Sequence, residues 1–368
     1  MATATGVAPK PVAAIEPSTR PLRAGVVGVG RMGRHHARVY SQLADTELVG
    51  LVDANADRRD ELAEKHGCRS LASLDQLIAA GIDIATVAVP TSHHRAVTET
   101  LLKAGVACLV EKPLAGTVDE AVAIKHAAEQ AGRVLMVGHI ERFNPIMLAL
   151  RRETDNGRTI VPRFIEVDRV SPMTFRSVDT SVVMDMMIHD LDVLIMMMGG
   201  REPDEVQAAG VPVITEHDDV CNARLTWRTP SGVCVANVSA SRLALKTERV
   251  TRITGENAYV KIDYGAKKGV IIRRTANEDK MHELRAMLRR GEDLTGLNWL
   301  EMVQYEELDV TETDALTEEI KNFVQAVRTG TRPEVDALAG LANVRTAERI
   351  VEAARHEREW KPGRSRES

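Results

Sequence analysis

The sequence predicts an α/β protein in which a doubly wound parallel sheet is followed by an α+β domain with a large, mostly antiparallel sheet. A length of 368 residues suits two domains. Short β-branched apolar runs alternate with helical patterns over residues 22–139, which is typical of repeated βα units and a parallel sheet. Beyond about residue 145 the apolar residues recur at every second position, and this spacing indicates antiparallel strands.

The composition excludes several functional classes. Lys and Arg number 48 against 53 Asp and Glu, a net charge of −5, so the chain lacks the positive field that holds nucleic acid. It has no run of 18 apolar residues, and we therefore expect no membrane association. The cysteines form no CxxC pair, which favours free thiols and a reducing compartment, at Cys68, Cys108, Cys221 and Cys234.

The first half is predicted to contain five parallel strands, each followed or preceded by a helix. Apolar residues spaced three and four positions apart indicate the helices. The expected strands are 24–29, 48–53, 84–89, 107–110 and 134–137, and the expected helices are 32–43, 58–66, 74–80, 94–104 and 118–131.

The second half is predicted to begin with a helix over 182–198 and to continue as a sheet. In 220–227, Cys221, Ala223 and Leu225 share one face and Asn222 and Arg224 the other, as in a half-exposed strand. Further strands and the final helices follow from the same spacing rules. They are expected at 233–240, 250–254, 259–264 and 270–274, and at 318–327 and 337–355, respectively.

The segment AGVVGVGRMGRHHA carries a complete GxGxxG between a predicted strand and helix. Gly28 permits the tight turn, Gly30 lets a pyrophosphate approach the backbone, and Gly33 allows close packing of helix and sheet. The second strand ends at Asp53, where a carboxylate accepts hydrogen bonds from both ribose hydroxyls and repels the extra phosphate of NADP. The pattern indicates a Rossmann dinucleotide-binding domain that uses NAD.

Two further segments carry chemical groups. The run CLVEKPLAGT places Glu111 and Lys112 at the carboxyl edge of the sheet, where open α/β folds bind ligands. In MDMMIHDLDVL, Asp185 and His189 are four residues apart on one helix face, so the carboxylate can orient the imidazole for acid/base catalysis. A metal site formed by Asp185, His189 and Asp192 is the alternative; we expect no metal, because a nicotinamide already handles the hydride.

These segments together resemble the Gfo/Idh/MocA family of nicotinamide-dependent sugar oxidoreductases from Leu22 to Arg355, with AVPTSHHRAVTETLLKAGVACLVEKPLA and GHIERFNP as further markers. The resemblance implies that Lys112 lies between nicotinamide and substrate and acts with Asp185 and His189. Thr91 stands where the family usually has Asn. The expected cofactor contacts are Gly28, Gly30, Arg31, Met32, Gly33, Asp53, Pro90, Thr91, His94, Glu111 and Lys112.

Within the family, GHIERFNP is most similar to a branch that acts on UDP-sugars, which implies oxidation of carbon 3 of UDP-N-acetylglucosamine. Arg142 and Asn144 then become expected substrate contacts alongside Lys112, Asp185 and His189. The resemblance also implies cell-envelope or lipid A precursors, a cytoplasmic location and a homo-oligomer, dimer or tetramer, paired through the second sheet. The alternatives are an inositol or free-sugar dehydrogenase and a non-catalytic dinucleotide-sensing regulator.

The expected domain organisation follows from these assignments. A dinucleotide-binding domain is predicted over 21–140 and a substrate-binding and oligomerisation domain over 141–335. A C-terminal helix over 336–356 is expected to pack near the first domain. The remaining segments, 1–20 and 357–368, are expected to be a flexible tail and a frayed end.

Overall fold

The structure is a computed structural model that describes residues 20–175, 178–275 and 278–359. The predicted tails over 1–20 and 357–368 lie almost wholly outside these residues. The strands are β1 (Leu22–Val27), β2 (Thr46–Val52), β3 (Arg69–Leu71), β4 (Ile84–Val87), β5 (Ala107–Glu111), β6 (Leu135–Gly138), β7 (Pro162–Val170), β8 (Glu205–Val211), β9 (Val220–Thr229), β10 (Gly232–Ser241), β11 (Glu248–Gly255), β12 (Ala258–Asp263), β13 (Lys268–Arg274) and β14 (Val303–Glu307). The α-helices are α1 (Gly33–Gln42), α2 (Ala56–His66), α3 (Leu74–Ala79), α4 (His94–Lys103), α5 (Val118–Ala131), α6 (Pro145–Asp155), α7 (Ile188–Met197), α8 (Glu278–Arg289), α9 (Ala315–Thr329) and α10 (Ala337–Arg358).

The first compact unit contains a parallel sheet with the strand order β3-β2-β1-β4-β5-β6. Its strands are buried on both faces, as their continuous apolar runs require; Leu51, Ile84 and Leu109 are fully buried. The strand order reverses between β1 and β4, and open α/β sheets bind ligands outside the carboxyl ends of the strands at such a point. The predicted doubly wound sheet is confirmed.

This unit is assembled from three stretches of chain. Among the described residues they are 20–143, 183–202 and 313–352. The division after Phe143 lies close to the predicted boundary at residue 141. Residues 183–202 and 313–335 fall in the range predicted for the second domain, whereas 336–352 belong to the predicted C-terminal helix. Helices α7 and α9 therefore belong to the first unit.

The helix predicted over 182–198 differs from expectation in its first turn. Val183–Met187 is π-helical, and the α-helical geometry of α7 begins at Ile188. A π-helical turn has wider hydrogen-bonded rings than an α-helix and occurs frequently at functional sites. Asp185 lies inside this turn and His189 follows it on α7.

The second unit is built on a sheet of order β14-β13-β12-β11-β7-β10-β9-β8. Its neighbouring strands are antiparallel except β7 and β10, which pair in parallel. One face is buried within the chain itself. A cross-strand row on that face consists of Leu225, Ala236, Ile165, Ile253, Val260 and Ile271.

The alternation predicted for β9 is present in the structure. Cys221, Ala223 and Leu225 are buried in the chain's own core, so they do not face a partner. The opposite face presents a second row, formed by the residues next in sequence to the buried ones. This outer row consists of Thr226, Val235, Phe164, Thr254, Tyr259, Ile272 and Tyr305.

The sequence spacing did not predict β3, β7, β8, β14, α6 or α8. The four charged residues and the initial proline of β7 obscure the strand pattern, although this strand has hydrogen-bonded neighbours on both sides. Among the described residues, no helix is both long enough and apolar enough to span a membrane.

Candidate active site

The glycine-rich turn between β1 and α1 has the backbone that a dinucleotide requires. Gly28 has φ +85°, and a Cβ on Gly33 would lie 1.8 Å from the carbonyl oxygen of Gly28. Packing therefore requires glycine at both positions. A Cβ on Gly30 would meet nothing within 4 Å, so the protein's own packing does not require glycine there. The open space over Gly30 fits a pyrophosphate at the N-terminus of α1.

Asp53, at the end of β2, is bonded directly to this turn. Its Oδ2 accepts the backbone N–H of Val29 at 2.7 Å, while Oδ1 accepts the N–H of Asn55 at 2.8 Å and Nη2 of Arg58 at 2.7 Å. Burial alone would raise the pKa of Asp53, but these donors outweigh it and hold the pKa below its usual value. An ionised acceptor for a ribose diol thus lies beside the glycine-rich turn.

The other expected cofactor residues lie at loops along the same edge. Arg31 is exposed and Met32 immediately precedes α1. Pro90 is exposed after β4, and Thr91 begins the 3₁₀ turn Thr91–His93.

Lys112 follows β5 and contacts the π-helical turn. Its Nζ donates to the main-chain oxygen of Asp185 at 2.7 Å and lies 3.6 Å from Oδ1 of the same residue. The Lys112 and Asp185 side chains are 19% and 30% exposed, so both groups remain accessible. The structure therefore brings together two residues that are 73 positions apart in sequence.

His189 is the second residue of α7, four positions after Asp185, and its side chain is partly buried. Residues 183–202, which include Asp185 and His189, belong to the same compact unit as Lys112. The three residues predicted to be catalytic thus belong to one compact unit, with a cation, a carboxylate and an imidazole available for proton chemistry.

Glu111 precedes Lys112 but is turned into the core. Its Oε1 lies 2.8 Å from Nε2 of His36, whose Nδ1 lies 3.2 Å from Oγ1 of Thr86, and that oxygen lies 3.0 Å from the hydroxyl of Tyr40. Burial would raise the pKa of Glu111, but the hydrogen bond and charge of His36 and the charge of Lys112 lower it. The Glu111 carboxylate is thus directed toward His36 on α1, and the expected contact of Glu111 with the cofactor stays a prediction.

His94 is also buried rather than exposed to the cofactor edge. Its Nδ1 lies 2.9 Å from the carbonyl oxygen of Pro113 and its Nε2 lies 3.0 Å from that of Val89. Burial lowers the pKa of His94, although the surrounding carbonyl groups oppose this effect. His94 therefore connects the segment after β4 to the segment after Lys112, and its expected contact with the cofactor stays a prediction.

Arg142 was expected to contact substrate, but its donors point into the protein. Nε and Nη2 donate to the two carboxylate oxygens of Asp192 at 2.7 and 2.6 Å, and Nη1 donates to the main-chain oxygen of Glu334 at 2.9 Å. The side chains of Arg142 and Asp192 are 6% and 1% exposed. Arg142 thus fixes α7 from inside, and Asp192, the third ligand of the alternative metal site, is committed to this pair.

Asn144 lies in the second unit and caps α6. Its Oδ1 accepts the N–H of Ile146 at 3.3 Å, and its Nδ2 approaches the carbonyl oxygen of Tyr264 at 3.5 Å. These contacts give Asn144 a local structural role, and its expected contact with substrate stays a prediction.

Sequence reasoning missed Glu319 on α9. It is fully buried, and neither carboxylate oxygen has a hydrogen-bond partner among the described residues. Burial, reinforced by the negative charges of Glu111 and Asp192, raises the pKa of Glu319 well above its usual value. The one feature of the sequence that could have indicated its burial is the position of this glutamate on the apolar face of the predicted helix 318–327.

Comparison with known proteins places these features in a family. Residues 22–139 match the oxidoreductase family described by its NAD-binding Rossmann fold, and residues 175–361 match its C-terminal alpha/beta domain. The chain is 34% identical over 319 residues to UDP-N-acetylglucosamine 3-dehydrogenase of Acidithiobacillus ferrooxidans, covering 87% of this chain and 93% of that protein. A solved structure of that enzyme superimposes with a TM-score of 0.80 at 33% identity, covering 92% of this chain and 99% of the other. Inositol 2-dehydrogenase of Rhizobium meliloti is 26% identical, covering 92% of this chain and 98% of that protein.

Proposed function

Because the chain belongs to the Gfo/Idh/MocA family of NAD-binding oxidoreductases, we propose that it oxidises a secondary hydroxyl group of a UDP-sugar, specifically carbon 3 of UDP-N-acetylglucosamine. The predicted family, the oxidoreductase class and the use of NAD are confirmed by the match over both domains. The choice of sugar rests on the 34% identity to the Acidithiobacillus ferrooxidans enzyme, which extends over nearly all of that protein.

The observation that carries the proposal is the contact between Lys112 and Asp185. An ammonium group that donates at 2.7 Å to the π-helical turn is held beside the carboxylate and within the unit that contains His189. A helix with a solvated Asp and an unrelated His would not need a partly buried lysine hydrogen-bonded to its first turn.

In this mechanism His189 accepts the proton of the substrate hydroxyl group. Lys112 donates a hydrogen bond to the same oxygen and stabilises the negative charge that develops there, and Asp185 keeps the lysine in place and favours the protonated imidazole. Bound NAD would supply the acceptor for the hydride that leaves the substrate carbon. Gly28, Gly30, Gly33 and Asp53 are the residues that hold it.

The test is a comparison of single substitutions, with the absorbance of NADH as readout and UDP-sugars, inositols and free hexoses as substrates. His189→Ala should lower turnover by roughly a hundred- to ten-thousand-fold and remove the acidic limb of the pH profile, because it removes the base. Lys112→Ala should lower turnover and leave NAD affinity unchanged, since the charge it stabilises grows only toward the transition state. Asp185→Asn should shift the acidic limb with a smaller loss.

Arg95→Gln is the matched control, because this exposed arginine on α4 forms its ion pair with Glu99 on the same helix. It should retain the activity of the wild-type enzyme. Near-normal turnover of His189→Ala with an unchanged pH profile would show that another group is the base. Activity on inositols in place of UDP-sugars would overturn the substrate and leave the mechanism intact.

The inositol dehydrogenase alternative is kept because of the 26% identity to the Rhizobium meliloti enzyme. A dinucleotide-sensing regulator is disfavoured, because such a protein has no need of Lys112, Asp185 and His189 together. A cell-envelope or lipid A pathway and a cytoplasmic location are part of the proposal; the latter is supported by four cysteines that are all free thiols.

We further propose that the chain forms a homo-oligomer through the outer row of the second sheet. That row crosses seven strands, from Thr226 to Tyr305, and includes two aromatic and two aliphatic side chains besides Tyr305. Tyr305 is 58% exposed in the single chain. A mostly apolar, partly exposed row across a sheet face is the pattern that self-association buries.

A further inference from the structure

The carboxylate of Asp53 already has a cationic partner on the protein. Its Oδ1 accepts both the N–H of Asn55 and the guanidinium of Arg58, at 2.8 and 2.7 Å. Its Oδ2 accepts the N–H of Val29 at 2.7 Å. A carboxylate oxygen has two lone-pair sites, so Oδ1 is fully used before a ribose approaches.

The two members of this pair differ in mobility. Asp53 is held by two backbone donors and its side chain is 7% exposed, whereas the Arg58 side chain is 46% exposed on the first turn of α2. The backbone N–H of Arg58 donates to the Asn55 cap at 2.9 Å, so the helix start is fixed independently of the guanidinium. The Arg58 guanidinium can therefore swing while the Asp53 carboxylate stays in place.

This geometry sets up a competition at the ribose. A diol that donates to both oxygens of Asp53 must displace the guanidinium from Oδ1, which costs a charge-assisted hydrogen bond. A ribose with a 2′-phosphate cannot donate from that position and is repelled by the carboxylate. The same displaced guanidinium, however, offers the planar donor pair that binds phosphate oxygens.

We propose that Arg58 is a specificity-determining residue that opposes Asp53: it weakens binding of the NAD ribose and supplies the binding group for a 2′-phosphate. The preference for NAD over NADP is the difference between these two effects. A chain with Asp53 alone would discriminate more strongly than this one does.

The experiment measures nucleotide binding by isothermal titration calorimetry on the full chain, with ADP-ribose and its 2′-phosphorylated form as ligands and no catalysis. Arg58→Gln should weaken binding of the 2′-phosphorylated ligand about tenfold, as expected for loss of a hydrogen bond to a charged group. The same substitution should leave ADP-ribose affinity unchanged or tighter. Lys65→Gln, which removes an equal charge from the last turn of α2, should change neither affinity.

The Asp53→Ser background sharpens the test, because Arg58 then has no carboxylate partner. Asp53→Ser should bind the 2′-phosphorylated ligand more tightly than ADP-ribose, and adding Arg58→Gln should abolish that preference. Arg58→Lys should retain part of the 2′-phosphate affinity, since it keeps the charge without the planar donor pair. Equal weakening of both ligands by Arg58→Gln, or no change in either, would refute the proposal.

Discussion

Arg142→Met should destabilise the protein without altering its interaction with substrate. The substitution removes three hydrogen bonds and leaves the carboxylate of Asp192 buried without its cation. Removing one partner of a buried ion pair costs about 3–5 kcal/mol of unfolding free energy, because the remaining charge stays desolvated. The exposed pair of Arg95 with Glu99 is the comparison, and Arg95→Met should leave the unfolding free energy nearly unchanged, because solvent screens such a pair.

Urea unfolding followed by far-ultraviolet circular dichroism measures this difference, since α7 and most other helices belong to the affected unit. The double variant Arg142→Met with Asp192→Leu should recover most of the lost stability, because no unpaired charge is then left inside. The KM for a UDP-sugar should be unchanged in Arg142→Met at a temperature where it is folded.

The opposite result would restore the substrate role that the sequence predicted. In that case Arg142→Met has the same urea midpoint of unfolding as the wild-type protein together with a higher KM for a UDP-sugar. That result would show that Arg142 acts on substrate and that its pair with Asp192 does not stabilise the protein. Partial loss of stability with an unchanged KM supports the structural interpretation, and the size of the recovery in the double variant measures the coupling.

Two further predictions concern Glu319 and the outer row of the second sheet. Glu319 has a raised pKa in the folded protein, so its contribution to stability is complete below the unfolded value and is lost as the pH rises toward the folded value. In urea unfolding at a series of pH values, Glu319→Gln should therefore gain stability relative to the wild-type protein as the pH rises above the ordinary range of a glutamate, and a constant difference would contradict this reasoning. Val235→Glu, in the centre of the outer row, should convert the oligomer to a monomer in light scattering; Val122→Glu, at an exposed position of α5, should not, and a wild-type monomer at micromolar concentration would contradict the interface.

The parts of the fold that the sequence predicts correctly are those governed by local rules. Gly33 is required because any side chain would collide with the Gly28 carbonyl group. Such a steric requirement can be recognised in the sequence, because it is met by a glycine at a fixed position of the motif. The alternation of β9 is equally visible, because one face is buried and the other is not. Both features depend on neighbours a few residues away.

The assignments that changed depend on contacts between distant residues. From its position after a strand, Arg142 is expected to be a surface residue. In the structure it is paired with Asp192, which is 50 residues later in the sequence. His94 and Glu111 are polar residues within cofactor-edge segments, but their partners lie on other elements and turn them inward. A single sequence does not show which charged residues form pairs in the folded protein. A polar residue that is buried with a distant partner therefore could not be distinguished from one that is exposed to solvent.

The three-part composition of the first unit has a consequence for the modularity of this enzyme. The dinucleotide turn and Lys112 lie before Phe143, whereas Asp185 and His189 come from a stretch that returns after the second unit has begun. A fragment ending at Phe143 would keep the predicted NAD contacts and lose the acid/base pair. Recombination between relatives at that boundary would therefore exchange cofactor preference without transferring a complete set of catalytic groups, and a working chimaera must carry the later stretches with it.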